Sequence, residues 1–86
     1  MTISGKKIIG KKIMAGEPLY DSNGNCIGWT RRENIGVIID ISDNEVKVFN
    51  KNNPDDRKYG GKDYRYYSLN REDFEKWCEQ GLYVLR

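Results

Sequence analysis

The alternation of apolar and polar residues is clearest in residues 37–49, VIIDISDNEVKVF. A period of two residues is typical of strands with one buried face, and Asp43-Asn44 suits a two-residue hairpin turn at positive φ. This turn pairs Asp40 with Lys47, an opposite-charge pair on the outer face. The same register pairs Ile41 with Val46, Ile39 with Val48 and Ile38 with Phe49. The predicted inner face consists of Val37, Ile39, Ile41, Val46 and Val48.

A second hairpin is predicted in residues 18–29, PLYDSNGNCIGW. Asn23-Gly24 is the strongest dipeptide signal for a two-residue turn, because both positions tolerate positive φ. The resulting register pairs Tyr20 with Ile27 and Leu19 with Gly28. We expect Tyr20, Ile27 and Trp29 to share one face of this hairpin.

The segment KKIIGKKIM, residues 6–14, predicts the first strand. A bulge at Gly10 would turn both Ile8 and Ile13 toward the core. The four lysines have two interpretations, either protection of an edge strand or a patch that binds phosphate. They are Lys6, Lys7, Lys11 and Lys12.

The C-terminal part of the chain predicts a polar loop, a strand, a short helix and a last strand. The loop covers residues 50–63, and YRYYS, residues 64–68, is rich in β-formers. Asn70 is a good N-cap for a helix over about 70–80, and Gly81 suits the residue after its end. The spacing of Phe74, Trp77 and Cys78 predicts the inner stripe of this helix.

Together these elements predict one mostly β domain over residues 1–86, with about 5–6 antiparallel strands and the short helix before the last strand. This order resembles a small SH3-like barrel, and IGVIIDISDNEVKV, residues 35–48, resembles the KOW-type strand pair of nucleic-acid-associated barrels. The resemblance is at the level of the fold. The proline-binding groove of SH3 domains is not implied, because no matching aromatic motif is present.

The composition argues against catalysis. The chain has no histidine, which removes the usual general base, and its two cysteines, Cys26 and Cys78, are far apart. YGGKD, residues 59–63, lacks the spacing of a phosphate-binding loop. We therefore predict a protein that is not an enzyme and has no metal or cofactor.

The sequence also bears on location. It has no apolar run long enough for a membrane span and no apolar segment after the N-terminal lysines. We expect a cytoplasmic protein with reduced thiols. Lys, Asn, Ile and Tyr, which have AT-rich codons, are abundant, and this favours a low-GC bacterium or its phage as the source.

Three binding functions remain open. The first is a protein interface, through which an accessory protein of a phage or mobile element would engage a host factor; Tyr and Arg are typical of such surfaces. Its candidate residues are Tyr59, Lys62, Tyr64, Arg65, Tyr66, Tyr67 and Arg71. The alternative is a surface for single-stranded nucleic acid or RNA formed by Lys6, Lys7, Lys11, Lys12, Trp29, Arg31 and Arg32. The third is an oligomer that binds a small molecule between subunits, and the sequence leaves the oligomeric state open.

Overall fold

The computed structural model of the chain describes residues 5–86, and their side chains from residue 7 onward. This part of the chain contains seven strands, one α-helix and two short 3₁₀-helices, Gly5–Ile8 and Arg57–Tyr59. The strands are β1 (Lys12–Ala15), β2 (Pro18–Tyr20), β3 (Cys26–Trp29), β4 (Glu33–Ile41), β5 (Glu45–Phe49), β6 (Tyr66–Asn70) and β7 (Tyr83–Leu85). The helix α1 is Arg71–Glu79, between β6 and β7. Within residues 5–86, no helix has the length and apolar character needed to cross a membrane.

The strands form two antiparallel sheets. The main sheet has the order β6-β5-β4-β1-β7, and β2 pairs with β3 in a separate hairpin. The predicted mostly β fold with a short helix before the last strand is confirmed. The main sheet is open, however, because β6 and β7 are its two edges and do not pair with each other, so these strands do not close into a barrel.

One face of the main sheet packs against α1 and forms the core. Phe74 of the helix and Ile13, Ile38, Val46 and Val48 of the sheet are all less than 2% exposed. Burying an aliphatic or aromatic side chain of this size stabilises a fold by about 1.5 to 3 kcal/mol. Because successive side chains of a strand point to opposite faces, the residues between these buried ones lie on the opposite, outer face of the sheet.

A β-bulge in β4 changes the predicted register of the β4–β5 hairpin. The pairs Ile41–Val46 and Asp40–Lys47 are confirmed, but beyond the bulge Ile38 faces Val48 and Val37 faces Phe49. The predicted pairings of Ile39 with Val48 and of Ile38 with Phe49 are wrong, and Val37 lies on the outer face and not on the predicted inner one. Ile39 is 42% exposed, whereas Ile38 is fully buried. Three consecutive apolar residues, 37–39, fit either register in sequence, and the bulge brings Ile38 to the core.

Neither hairpin uses the predicted type of turn. No non-glycine residue among 5–86 has a positive φ, so Asp43-Asn44 does not form a turn of that kind. Instead the Ser42 hydroxyl accepts a hydrogen bond from the Glu45 amide at 3.2 Å, and the Ser42 amide donates to the Glu45 carbonyl at 2.9 Å. This side-chain bond lets the loop close with ordinary backbone angles.

The β2–β3 hairpin closes through Asp21, whose Oδ1 accepts hydrogen bonds from the amides of Asn23 and Asn25, both at 2.9 Å. The connection is therefore longer than the predicted two-residue turn. Leu19 pairs with Gly28 as predicted, but Tyr20 pairs with Cys26 and not with Ile27. Tyr20 and Ile27 are 62% and 68% exposed, so this hairpin adds little to the core.

The lysine segment does not form one strand. Residues 5–8 are a 3₁₀-helix, a turn follows with Gly10 at φ +92°, and β1 begins only at Lys12. Ile8 and Ile13 are both buried as predicted, but this turn and not a bulge brings them together. The interpretation of the lysines as edge protection is wrong for β1, because β1 lies between β4 and β7.

The helix has the predicted ends but a narrower buried face. The Asn70 side chain accepts a hydrogen bond from the Asp73 amide at 3.1 Å, and the Leu82 amide donates to the Trp77 carbonyl at 3.0 Å. Gly81 has φ +82°, as a Schellman ending requires. Phe74 is buried as predicted, but Trp77 is 42% exposed and stacks on the ring of Tyr83.

The bulge leads to a prediction about neighbouring isoleucines. Ile38→Ala removes a fully buried side chain and should lower the free energy of unfolding by about 2 to 5 kcal/mol. Ile39→Ala removes an exposed one and should cost about 1 kcal/mol or less. Urea unfolding of both variants measures the difference, and a larger loss for Ile39→Ala would contradict the bulged register.

The two free thiols should differ in reactivity. Cys26 is exposed, whereas burial and, to a lesser degree, the charge of Glu75 raise the pKa of the Cys78 thiol to about 11. Because the thiolate is the reactive form, iodoacetamide at mildly alkaline pH should modify Cys26 first and Cys78 only after denaturation. Mass spectrometry at successive times measures both sites; modification at equal rates in the folded protein would contradict this environment for Cys78.

Candidate functional site

The predicted protein interface divides into exposed tyrosines and residues that stabilise the fold. Tyr59, Tyr64 and Tyr66 are 78%, 45% and 55% exposed. Lys62 is also exposed. The other three predicted residues, Arg65, Tyr67 and Arg71, are half-buried and hydrogen-bonded within the chain. The seven residues therefore do not form one accessible surface.

Tyr67 and Arg71 connect elements of the fold. The neighbours of Tyr67 in β6 are exposed, so Tyr67 itself lies on the core side of the strand. Its hydroxyl donates a hydrogen bond to the Ile35 carbonyl. Burial raises the pKa of Tyr67, so this hydroxyl keeps its proton at neutral pH. Arg71 donates to the Ser42 carbonyl at 2.9 Å and to Glu75 at 3.2 Å. It thus connects the start of α1 to the β4–β5 turn.

Arg65 is balanced by two carboxylates. It donates two hydrogen bonds of 2.8 Å to Asp63 and one of 3.2 Å to Asp55. Arg57 donates to Asp55 as well, and this bond is the main reason why the pKa of Asp55 falls to about 2. The Arg65 guanidinium lies 5.8 Å from the centre of the Phe49 ring and 6.0 Å from that of Tyr66. Arg65 therefore supports these rings and has little free charge for a ligand.

The residues of the predicted nucleic-acid surface do not form one surface either. The side chains of Lys7, Lys11, Lys12 and Arg31 are exposed, and that of Lys6 lies outside the described residues. Arg32 lies over the Trp29 ring at 5.7 Å and donates a 2.6 Å hydrogen bond to the Gly81 carbonyl. Trp29 and Arg32 thus attach the β2–β3 hairpin to the end of α1. Lys12 is at the start of β1, whereas Arg31 lines a hollow beside Ala15 at the other end.

The structure brings parts of both predicted sets together on the outer face of the main sheet. A cross-strand row runs through Tyr66, Phe49, Val37 and Lys12, on β6, β5, β4 and β1. The rings of Phe49 and Tyr66 are 4.8 Å apart between centroids and tilted by 42°. Since α1 covers the other face, this aromatic pair lies on the solvent side of the sheet.

A shallow groove adjoins Phe49 on this face. Its walls include two cations, Lys12 and Lys51, and three amides, Asn34, Asn50 and Asn52. Gly36 and Val37 line it too, and no carboxylate is among its described lining residues. The groove therefore combines an aromatic ring, positive charge and amide groups.

Close packing and local hydrogen bonds hold the backbone around the groove in place. A Cβ at Gly36 would lie 2.4 Å from a methyl group of Val48 and 2.9 Å from the Phe49 carbonyl oxygen, and Gly36 has φ +146°. Only glycine allows β4 to approach β5 so closely there. The Asn34 side chain accepts a hydrogen bond from the Gly36 amide at 2.8 Å, and that of Asn50 accepts one from the Asn52 amide at 3.0 Å.

Sequence reasoning missed most of this groove. It assigned no binding role to the residues that supply the ring, one cation and the amides, which are Phe49, Lys51, Asn34, Asn50 and Asn52. One signal was available: Phe49 follows Val48 in an alternating strand, so its ring belongs to the solvent side. Together with Tyr66 on the neighbouring strand, it forms a contiguous aromatic patch, and such patches are an indication of a binding surface.

The arrangement is suited to binding through stacking, charge and hydrogen bonds. Among residues 5–86, no three His, Cys, Asp or Glu side chains are grouped in a way that could hold a metal ion.

Comparisons of the chain with protein-family models, curated proteins and solved structures find no match.

Proposed function

We propose that this chain is a non-enzymatic module that binds single-stranded nucleic acid on the outer face of its main sheet. The observation that carries the proposal is the pair of aromatic rings of Tyr66, which is 55% exposed, and Phe49, which is half-buried, beside a groove with Lys12 and Lys51. Aromatic side chains stack with any base, at about 1 to 3 kcal/mol per base, and lysines neutralise the neighbouring phosphates.

The geometry favours a single strand over a duplex. The two rings lie on the surface of a sheet, and a base must leave its own stack to present a face to them. In a duplex both faces of each base are already stacked. The Oδ1 atoms of Asn34 and Asn50 already accept backbone hydrogen bonds, but the NH₂ group of Asn34 and the side-chain amide of Asn52 can bond to base edges, which are paired in a duplex.

The charge predicts modest affinity with a shallow dependence on salt. Lys12 and Lys51 are the cations of the groove, while the charge of Arg65 is balanced by Asp63 and Asp55. Each phosphate contact on a single strand changes the slope of log K against log salt by about −0.7, so two contacts give about −1.4. Stacking on Phe49 and Tyr66 supplies the part of the affinity that salt does not weaken.

A protein interface remains the second candidate, at a different place. Tyr59, with the Lys58 ammonium 5.0 Å from its ring centre, is the most exposed large apolar side chain of the described residues. Tyr64 is also exposed and follows in the same loop. This surface agrees with the hypothesis of an accessory protein that engages a host factor, and its residues are distinct from those of the groove.

Substitutions of the two groove lysines and of the adjacent Tyr66 should separate charge from stacking. Lys12→Gln with Lys51→Gln should weaken binding of a fluorescein-labelled oligothymidylate and flatten its salt slope by about 1.4. Tyr66→Ala should weaken binding by about fivefold to 150-fold, the equivalent of 1 to 3 kcal/mol, with an unchanged slope. Fluorescence anisotropy over a series of salt concentrations measures both quantities.

Two matched controls complete this test. Lys76→Gln removes an exposed lysine from α1, and Tyr59→Ala removes an exposed tyrosine outside the groove. Neither should change affinity or slope. Failure of the unmodified protein to bind at low salt, or an equal loss in the controls, would overturn the proposed function and favour the protein interface.

A further inference from the structure

The outer face of the main sheet has opposite charges at its two ends. Lys12 and Lys51 lie at the end where β5 finishes, beside Phe49. At the other end, Glu45 begins β5 and Asp40 faces Lys47 across the hairpin. Strand alternation places Glu45 and Lys47 on the outer face, because Val46 and Val48 between and after them are buried.

Lys47 does not neutralise the acidic end. Its ammonium lies 3.9 Å from the Glu45 carboxylate and its strand partner on the other side is Asp40, so one lysine faces two carboxylates. Arg71, at the same turn, is paired with Glu75 and bonded to the Ser42 carbonyl. Glu45 is four residues from Phe49, or about 13 Å along the strand. Asp40, Glu45 and Lys47 together have a net negative charge. A phosphate that followed the strand in this direction would approach this group.

An apolar hollow lies between the aromatic pair and the acidic end. It is lined by Ile39, Tyr66 and Ser68, together with Lys47. Ile39 reaches this surface because of the bulge in β4 and is 42% exposed. The hollow can take an uncharged base, but the carboxylates beyond it disfavour a further phosphate.

From this order of charges we infer that the site selects the free end of a single strand; this inference rests on the proposed function. The terminal base occupies the hollow beside Tyr66, and the next base stacks at Phe49. The first phosphates lie toward Lys12 and Lys51, and the strand leaves the protein on that side. An internal segment would have to place a phosphate at Asp40 and Glu45, so it binds more weakly.

The test compares linear and circular oligothymidylate of the same length by competition against a labelled short linear strand. We expect the linear strand to compete about tenfold better, because only it has an end without a phosphate, and like-charge contacts are costly. A terminal phosphate added at the 5′ end in one arm and at the 3′ end in another should weaken binding in one arm only. That arm identifies the end that occupies the hollow.

The charge explanation is tested by Asp40→Asn with Glu45→Gln. Asn keeps the Oδ1 atom with which Asp40 accepts from the Ile41 amide, so the local backbone bond remains. This double variant should bind the circle nearly as well as the linear strand. The matched control, Glu17→Gln with Glu72→Gln, removes two exposed carboxylates elsewhere and should keep the preference for the linear strand.

The outcomes separate this inference from the proposed function. Equal competition by circle and linear strand would overturn end selection while leaving single-strand binding intact. An unchanged preference in the Asp40→Asn, Glu45→Gln variant would overturn the role of the acidic end. Absence of binding by either DNA would overturn both proposals.

Discussion

The contact between Phe74 and the buried aliphatic side chains of the main sheet determines how the two faces of that sheet are used. Phe74 is the fully buried residue of α1, and it meets Ile13, Ile38, Val46 and Val48 from the three central strands. The helix covers one face, and the exposed side chains of Ile39, Lys47 and Tyr66 lie on the other. The aromatic pair and the groove on the outer face therefore follow from the way in which the core is built.

The bulge in β4 links the core to the outer face. It brings Ile38 under the helix and places Ile39 on the solvent side. Gly36, two residues before Ile38, allows the close approach to Val48 and Phe49 that positions the Phe49 ring beside the groove. A regular strand with the predicted register would have buried Ile39 and left the hollow beside Tyr66 without its apolar wall.

The local signals of the sequence predicted the elements better than their pairing. The Asn70 cap, the Gly81 ending and the alternation in β5 depend on residues close together in the chain, so they could be recognised directly. The register of β4 could not, because residues 37–39 are all apolar. The groove could not be predicted either, since its residues come from β1, β4, β5 and the following loop, and only the folded sheet brings them together.

Charge alone was a poor indicator of binding residues, because several cations have structural roles. Arg65 is held by Asp63 and Asp55, and Arg32 donates to the Gly81 carbonyl. The charged groups of these two arginines bind other parts of the same chain. Lys12 and Lys51, without acidic neighbours in the groove, have charges available to a ligand.

The β2–β3 hairpin has a consequence for the cooperativity of unfolding. It forms its own two-stranded sheet, which the bond from the Thr30 amide to the Glu17 carbonyl extends by one residue pair. Arg32, just after β3, connects it to the main body through its bond to the Gly81 carbonyl. A two-stranded hairpin with exposed apolar side chains has little stability of its own. It can therefore open as a separate unit, and its amide protons exchange with solvent while the five-stranded sheet stays intact.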